Sequence, residues 1–356
     1  MRIALLTYST KPRGGVVHTL ALAEALARLG EDVDVWTLGR GGDREFFRSV
    51  DPAVGVHAVP FEAREHEDVG KRIVRSIDTL REAFDRSAYD VVHAQDCISA
   101  NAVLPCIRTI HHLDTFSTPE LVACHERAVV EPSARICVSR SVAAEVQQGW
   151  GLPATVIHNG VDSARFRAAV DDGNGRGRWR DELGPYVLAL GGIEPRKGSI
   201  DLLRAMAVVQ QELPGTRLVF AGGETLFDYR TYREEFDHTA ASLGVDHEVL
   251  GVIEDHRLPA LVAQAATLGF VSTKEGFGLA AMEALAAGIP VVARDLPVLR
   301  EVFGDAIRFA SAPAEMATQI ISAVSDRHDP GPGGELAASY TWEAAAEQHL
   351  RFYASL

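Results

Sequence analysis

The sequence predicts an α/β protein built from two doubly wound domains, and three observations carry that expectation. Apolar runs of strand length alternate with longer segments of helical period along nearly the whole chain. Several runs, such as Val91-Val92 and Ile136-Cys137-Val138, are continuously apolar, the pattern of strands buried on both faces of a parallel sheet. The series is interrupted by Asp171-Asp172-Gly173-Asn174-Gly175-Arg176-Gly177-Arg178, Gly-rich, charged and without apolar periodicity, which reads as an exposed linker.

In the first domain, residues 1–166, strands are expected at 2–9, 33–38, 54–60, 90–94, 106–111, 134–138 and 154–158, with helices around 16–29, 69–86, 119–130 and 140–149. After a linker over 167–184, the second domain, 185–328, starts a new series. Its strands fall near 186–191, 216–221, 248–251, 267–271, 290–293 and 306–309, and its helices near 198–212, 229–243, 255–265, 278–287 and 312–325. A Pro/Gly-rich break at 329–334 precedes an amphipathic helix from about Thr341, with Trp342, Leu350 and Tyr353 among its apolar positions, which is read as completing the first domain. Right-handed crossovers put helices on both faces of each sheet. Two such domains are expected to face a central cleft at the carboxyl ends of their strands, where ligands bind in these folds.

Composition narrows the function classes. With 356 residues, 47% hydrophobic and 24% charged, the chain is long and apolar enough for about two domains and is not disordered. Its 35 Lys and Arg against 49 Asp and Glu give a formal charge of −14, which argues against nucleic acid as a partner. The four cysteines, Cys97, Cys106, Cys124 and Cys137, are spaced 9, 18 and 13 apart, unlike any paired zinc or redox pattern, and read as packing residues. The opening Met1-Arg2-Ile3-Ala4-Leu5-Leu6-Thr7-Tyr8 offers a strand but no signal-peptide core, and no apolar run approaches the ~20 residues of a membrane span, so a cytoplasmic location is expected. The amphipathic stretch 71–84 carries Lys and Arg on its polar side, but Asp78, Glu82 and Asp85 blunt the charge; it reads as a solvated surface helix, with membrane association the weaker alternative.

Four places carry residues suited to chemistry. Gly14 and Gly15 follow the first strand and open a helix, so free backbone N–H groups suit a phosphate; the alternative is a plain tight turn. This is neither GxGxxG nor GxxxxGK[ST], so nicotinamide and P-loop readings lose their main support. At the equivalent place in the second domain, Gly191-Gly192-Ile193-Glu194-Pro195-Arg196-Lys197-Gly198 sets two cations before a helix, suited to a departing diphosphate without metal; the alternative is a solvated loop pair. Glu275 and Glu283 stand eight residues apart, Glu275 in a Gly-bounded loop and Glu283 the only charge in an otherwise apolar helix. A carboxylate there needs hydrogen-bond donors, for which ligand hydroxyls serve, as protein N–H groups would also. His111-His112 ends a strand and is followed by Asp114, so one ring can face the cleft while the other bonds the carboxylate. His93 and His158 are read as structural, as is Asp32-Val33-Asp34, the only Asp-x-Asp, which lies at a strand entry and so argues against a metal site of that type.

The Glu275 to Glu283 arrangement resembles the Glu-x7-Glu signature of family 4 of the retaining GT-B glycosyltransferases (glycosyl transferases group 1). The resemblance extends over nearly the whole chain, through Gly14-Gly15, Asp90-Val91-Val92-His93, Thr109-Ile110-His111, Val138-Ser139, Asn159-Gly160-Val161-Asp162, Arg196-Lys197-Gly198, Phe220-Ala221-Gly222 and Leu250-Gly251. It implies a metal-independent enzyme that moves a sugar from a nucleotide diphosphate donor to a hydroxyl acceptor, with no further cofactor. Glu283 then matches the residue binding the nucleotide ribose, and Glu275, opening the segment Gly276, Phe277, Gly278 and Leu279, the one facing the sugar hydroxyls. Lys197, with Arg196, matches the diphosphate clamp, Gly14 and Gly15 the loop closing over it, Val252 and Ile253 the place of the base, and His111 a histidine near sugar and acceptor. The implied catalytic set is Glu275, His111 and Lys197, with the leaving diphosphate as base. One departure is that Gly192 stands where the family often has an arginine, so Arg196 is the candidate substitute. The alternatives are a GT-B sugar-nucleotide epimerase, a sugar phosphorylase, or a non-catalytic nucleotide-sugar-binding protein.

Overall fold

The computed structural model describes residues 1–62, 64–116, 118–171, 178–223, 229–325 and 332–356, and the chain divides into two compact units. Unit 1 comprises Met1–Gly160 and Thr341–Leu356; unit 2 comprises Val161–Tyr340.

Unit 1 runs β1 (Arg2–Leu6), α1 (Gly14–Arg28), β2 (Asp32–Arg40), β3 (Val54–Phe61), α2 (Val69–Ala83), β4 (Val91–Ala94), α3 (Cys97–Val103), β5 (Ile107–Ile110), α4 (Pro119–Val130), β6 (Ala134–Cys137), α5 (Arg140–Trp150) and β7 (Thr155–Val156). Its seven strands lie in the order β3-β2-β1-β4-β5-β6-β7, all parallel. The winding direction reverses between β1 and β4, so the loops leaving these two strands part company and leave a crevice at their carboxyl ends. β1 is central: Ile3, Ala4, Leu5 and Leu6 are completely buried, which is why the run is apolar on both faces. α2 buries Ile73, Ser76 and Leu80, so the apolar side of the helix considered for membrane contact is spent inside the unit. Among the described residues no helix is long and apolar enough to cross a membrane.

Unit 2 runs α6 (Ser163–Asp171), α7 (Arg178–Leu183), β8 (Tyr186–Leu190), α8 (Ser199–Glu212), β9 (Arg217–Ala221), α9 (Arg230–Leu243), β10 (His247–Val249), α10 (Leu258–Gln264), β11 (Thr267–Phe270), α11 (Leu279–Ala286), β12 (Val291–Arg294), α12 (Pro297–Phe303), β13 (Arg308–Ala310), α13 (Pro313–Ser325) and α14 (Gly333–Ser339). The chain then returns to unit 1 as α15 (Trp342–Tyr353). The six-stranded sheet has the order β10-β9-β8-β11-β12-β13, again parallel, and its reversal falls between β8 and β11.

The crossing between units differs from the sequence reading. The first domain ends at Gly160 rather than at 166. Val161 N–H donates to Tyr340 O (3.0 Å), and Phe166 is buried (2% exposed), which commits α6 to unit 2. A Cβ at Gly160 would fall 2.3 Å from the Trp342 nitrogen, so only glycine lets residue 160 pass the returning strand of backbone. The expected linker over 167–184 carries the end of α6 and the whole of α7, with Trp179 and Leu183 buried; its Gly-rich centre, 172–177, lies outside the described residues, as do 329–331 of the second break.

Candidate functional site

In unit 2 the predicted cations and the first glutamate meet at the reversal of the sheet. Arg196 and Lys197 follow β8, and Glu275 follows β11, so the two central strands deliver them to neighbouring positions. Gly191 (φ 127°) and Gly198 (φ 67°) bracket the loop in the left-handed region, and a Cβ at Gly198 would lie 2.4 Å from Val271 O. Lys197 Nζ donates to Glu275 Oε1 at 2.7 Å. Arg196 bridges Glu194 and Glu275, each at 3.4 Å, and donates to Lys274 O at 3.3 Å. Burial would push the Glu275 carboxyl up, but Lys197, Arg196 and a hydrogen bond from Ser272 outweigh it and hold its pKa at about 2. Glu275 is therefore a fixed anion, and the loop is a preformed cation cluster with the Glu275 and Glu194 carboxylates as its counterions.

Gly276, Phe277 and Gly278 carry the chain from Glu275 into α11, which opens at Leu279. Gly278 (φ 102°) packs so closely on α12 that a Cβ would lie 2.9 Å from the Phe303 ring. Phe277 is buried, edge-on to Tyr340 at 5.5 Å. In α11, Ala281, Met282, Ala284, Leu285 and Ala286 are buried, whereas Glu283 is half-buried rather than enclosed. Burial pushes its pKa up to about 7, with Arg165 opposing and Asp255 and Asp162 adding to the rise. Among the described residues none hydrogen-bonds this carboxylate, so it keeps its acceptor capacity for a donor from outside. Arg165 is engaged by Asp255 at 2.9 Å; neither residue drew notice in the sequence, where both look like ordinary surface charges. Val252 is 57% exposed, Ile253 is half-buried, and a Cβ at Gly223 would meet Val252 at 2.6 Å, so the Val252 side chain lies over the Gly222-Gly223 turn beyond β9.

In unit 1 the structure brings Gly15 and His111 together: a Cβ on Gly15 would lie 3.5 Å from the His111 ring, and Gly14 is open on that side. His111 Nε2 has no partner among the described residues, and burial, with His18 and Arg108 nearby, holds the ring neutral. His18, on α1, stands edge-on to it at 4.7 Å and shares a 2.9 Å hydrogen bond with Asn159. His112 bonds Asp114 at 2.9 Å. His93 is wholly internal, bonded to Thr109 and, across the sheet, to Tyr353 of α15, each at 2.7 Å. Asp34 is taken by Tyr89, whose hydroxyl donates to it at 2.6 Å. The sequence pattern missed His18 and His349, which with His93 and His111 make a buried histidine cluster under α15; no local spacing marks residues drawn from four separate elements.

Two Rossmann-like units, each with parallel strands whose order reverses at the centre of its sheet, make up the two-domain architecture of the GT-B glycosyltransferase fold. The chain belongs to the family described as Glycosyltransferase Family 4 over residues 12–165 and as Glycosyl transferases group 1 over residues 178–343. It is 29% identical to a D-inositol 3-phosphate glycosyltransferase of Xylanimonas cellulosilytica over 99% of this chain and 96% of that one. It is 27% identical to a glycogen synthase of Mycobacterium tuberculosis over 99% and 94% of the two chains. The fold is that of HepE from Anabaena, solved with UDP and glucose (TM-score 0.76, 20% identity, both chains covered completely). It is also that of a sucrose-phosphate synthase from Thermosynechococcus elongatus (TM-score 0.79, 20% identity, 99% and 98% covered).

Proposed function

We propose that this glycosyltransferase transfers a sugar from a nucleotide diphosphate donor to a hydroxyl acceptor with retention at the anomeric carbon, and that it does so without a metal ion. The observation that carries the reading is the Arg196, Lys197 and Glu275 cluster at the β8/β11 reversal: two cations within bonding distance of one carboxylate whose negative charge is fixed. The glycosyltransferase relatives, and neighbours solved with UDP or UDP-glucose, support a nucleotide-sugar donor.

In this reading Lys197 and Arg196 neutralise the diphosphate as negative charge builds on it, the role a metal plays elsewhere. Glu275 accepts hydrogen bonds from the transferred sugar's hydroxyls, and its short tie to Lys197 keeps both groups aligned before the donor arrives. Glu283 accepts from the ribose hydroxyls, Val252 and Ile253 take the base, and Gly276, Phe277, Gly278 and Leu279 supply the close backbone approach. In unit 1 the Gly14 and Gly15 N–H groups are assigned to a phosphate, and the neutral His111, with Nε2 free, to a sugar or acceptor hydroxyl. The bond to the leaving diphosphate breaks on the face where the acceptor oxygen attacks; the acceptor's proton passes to a departing phosphate oxygen, so no protein nucleophile is needed.

The test is a thermal-shift screen against UDP, GDP, ADP, TDP and their sugar conjugates, with EDTA and with Mg²⁺ or Mn²⁺, in parallel with Lys197→Ala. A shift for one nucleotide, equal with and without metal and lost in Lys197→Ala, is expected. A shift that appears only with the divalent ion would overturn the metal-independent reading, and no shift for any nucleotide would overturn the donor assignment.

A further inference from the structure

Beyond the carboxyl ends of β1 and β2, unit 1 holds two arginines without a counterion, in a chain whose formal charge is −14. Elsewhere half-buried arginines take a carboxylate: Arg48 pairs with Glu24, Arg75 with Glu67, Arg165 with Asp255 and Arg294 with Asp201. Arg40 closes β2 and Arg13 precedes α1; both are half-buried, and among the described residues no carboxylate lies within ion-pairing distance of either. Lys11, two residues before Arg13, differs in this, since Asp43 takes it at 2.8 Å. Asp43 also accepts from Thr10 Oγ1 at 2.7 Å, and Phe47 N–H donates to Thr10 O at 3.0 Å, so the loop that carries Arg13 is tied down.

Both arginines share one ring: the guanidinium carbon of Arg13 lies 5.8 Å and that of Arg40 5.5 Å from the centre of Tyr8. Arg40 Nε donates to Tyr8 O at 3.2 Å and Nη2 to Ser76 Oγ at 3.0 Å, and the Phe61 ring centre lies 5.0 Å away, so the fork has a fixed orientation. Arg40 Nη1, the Tyr8 hydroxyl and the Arg13 guanidinium make no hydrogen bond among the described residues, and none of these atoms is enclosed: each reaches solvent. Asp96, an acid whose charge Arg40 feels, is engaged by the Tyr8 N–H at 2.9 Å and the Ser99 N–H at 2.8 Å. Burial, with Arg72 and Arg13 as like charges, lowers the Arg40 pKa to about 10 against the pull of Tyr8 and Asp96, and an anion bound there would relieve that cost.

We propose that Arg13, Tyr8 and Arg40 form an anion subsite of unit 1 that holds the phosphate monoester of a phosphorylated hydroxyl acceptor. Such a group carries close to two negative charges at neutral pH and three strong acceptor oxygens, which two arginines and a phenol hydroxyl match in charge and in donors. Arg40 supplies its two Nη1 N–H groups from a fixed fork, Arg13 the second charge, and Tyr8 an O–H donor. The phosphate is a handle: no bond to it forms or breaks, and the attacking hydroxyl lies elsewhere on the acceptor. That the anion belongs to the acceptor rests on the proposed placement of the donor diphosphate at Arg196 and Lys197; the anion subsite itself stands on unit 1 alone.

The experiment titrates the whole protein, without donor, with inorganic phosphate, glycerol 3-phosphate and glucose 6-phosphate, beside glycerol, glucose and glucuronate. Phosphatidylcholine vesicles with and without phosphatidate tell a lipid-borne ester from a soluble one. Expected is binding of inorganic phosphate and of a phosphate ester, weakened about tenfold by Arg13→Gln or Arg40→Gln and unaffected by Lys11→Gln. Arg13→Gln removes a side chain that bonds nothing and so keeps the fold even where Arg40→Gln, which cuts the ties to Tyr8 O and Ser76, does not. In transfer assays the phosphorylated acceptor should exceed its unphosphorylated parent by about tenfold or more in kcat/KM, and Arg13→Gln should erase that margin through KM. No binding of any phosphate compound, binding indifferent to Arg13 and Arg40, or glucuronate bound as tightly as glucose 6-phosphate would overturn the phosphate subsite. Loss of nucleotide binding in the same variants would hand the pair to the donor and overturn the acceptor assignment. A protein that binds no nucleotide and transfers nothing sinks the functional reading, while the titrations without donor still decide the subsite.

Discussion

Acidification from pH 7 to pH 5 should destabilise unit 1, and the buried histidines set the size of the effect. Burial drives the pKa of His18 down to about 3, with His349 nearby adding to the fall and the Asn159 bond opposing it. Burial likewise takes His349 down to about 4 against the bond to Ala345 O. In the unfolded chain both return to about 6.5, so between pH 6.5 and those lowered values the unfolded state binds more protons. Stability is held above pH 6.5 and lost as pH falls. Integrating from pH 7 to pH 5 gives about 2 kcal/mol for each ring, about 4 kcal/mol together, with His93 and His111 shifted in the same direction. Urea unfolding followed by tryptophan fluorescence is the assay, because Trp36, Trp150 and Trp342 belong to unit 1 and only Trp179 to unit 2. At an m-value of roughly 2 to 3 kcal/mol/M the midpoint should fall by more than about 1 M. His349→Leu should roughly halve the loss attributed to these two rings. An unchanged midpoint at pH 5, or a His349→Leu variant with the parent's full pH dependence, would refute the reasoning.

Three further outcomes follow from the site. If Glu283 binds the nucleotide ribose as proposed, hydroxyls donating to it favour its charged form, so nucleotide affinity should fall as pH drops below about 7, approaching tenfold per unit, with proton release on binding near pH 7; calorimetry in buffers of different ionisation enthalpy checks this, and Glu283→Gln should abolish the dependence. Lys197→Ala strips Glu275 of its nearer cation and should cost unit 2 about 3 kcal/mol in denaturant unfolding, besides weakening nucleotide binding at least tenfold by titration. Gly160→Ala drives a methyl into the backbone of Thr341 and Trp342 and should lower stability by about 2 kcal/mol or more, read as a drop in thermal midpoint.

The elements most legible in the sequence were those whose environment is uniform. β1, β4 and β6 are enclosed on both faces, so their apolar runs announced both strand and parallel sheet. Glu283 was legible for the opposite reason, as the only charge in an otherwise apolar helix, and Glu275 as an acid in a glycine-bounded loop. Arg196 and Lys197 stood out between glycines, and the structure shows why those glycines are needed: Gly191 and Gly198 hold backbone angles that other residues resist. What escaped depends on distance along the chain. The His93 to Tyr353 bond spans 260 residues, and the His18 to Asn159 bond 141. α6 and α7 were hidden because their anchors, Phe166, Trp179 and Leu183, are few and sit among charged residues in a stretch whose glycines dominate its composition.

The return of 341–356 to unit 1 bears on how the protein is made. A ribosome releases all of unit 2 before it delivers the helix that covers His18, His93 and their neighbours. Unit 2 is contiguous and can fold as it emerges, while unit 1 waits, its strands synthesised but its histidine layer open to solvent. A message cut short before codon 341 would therefore yield a chain with a finished second half and an unfinished first, the kind of product that chaperones hold and proteases clear. Arrival of α15 completes unit 1, and it couples the integrity of a late-made segment to the state of strands made long before it.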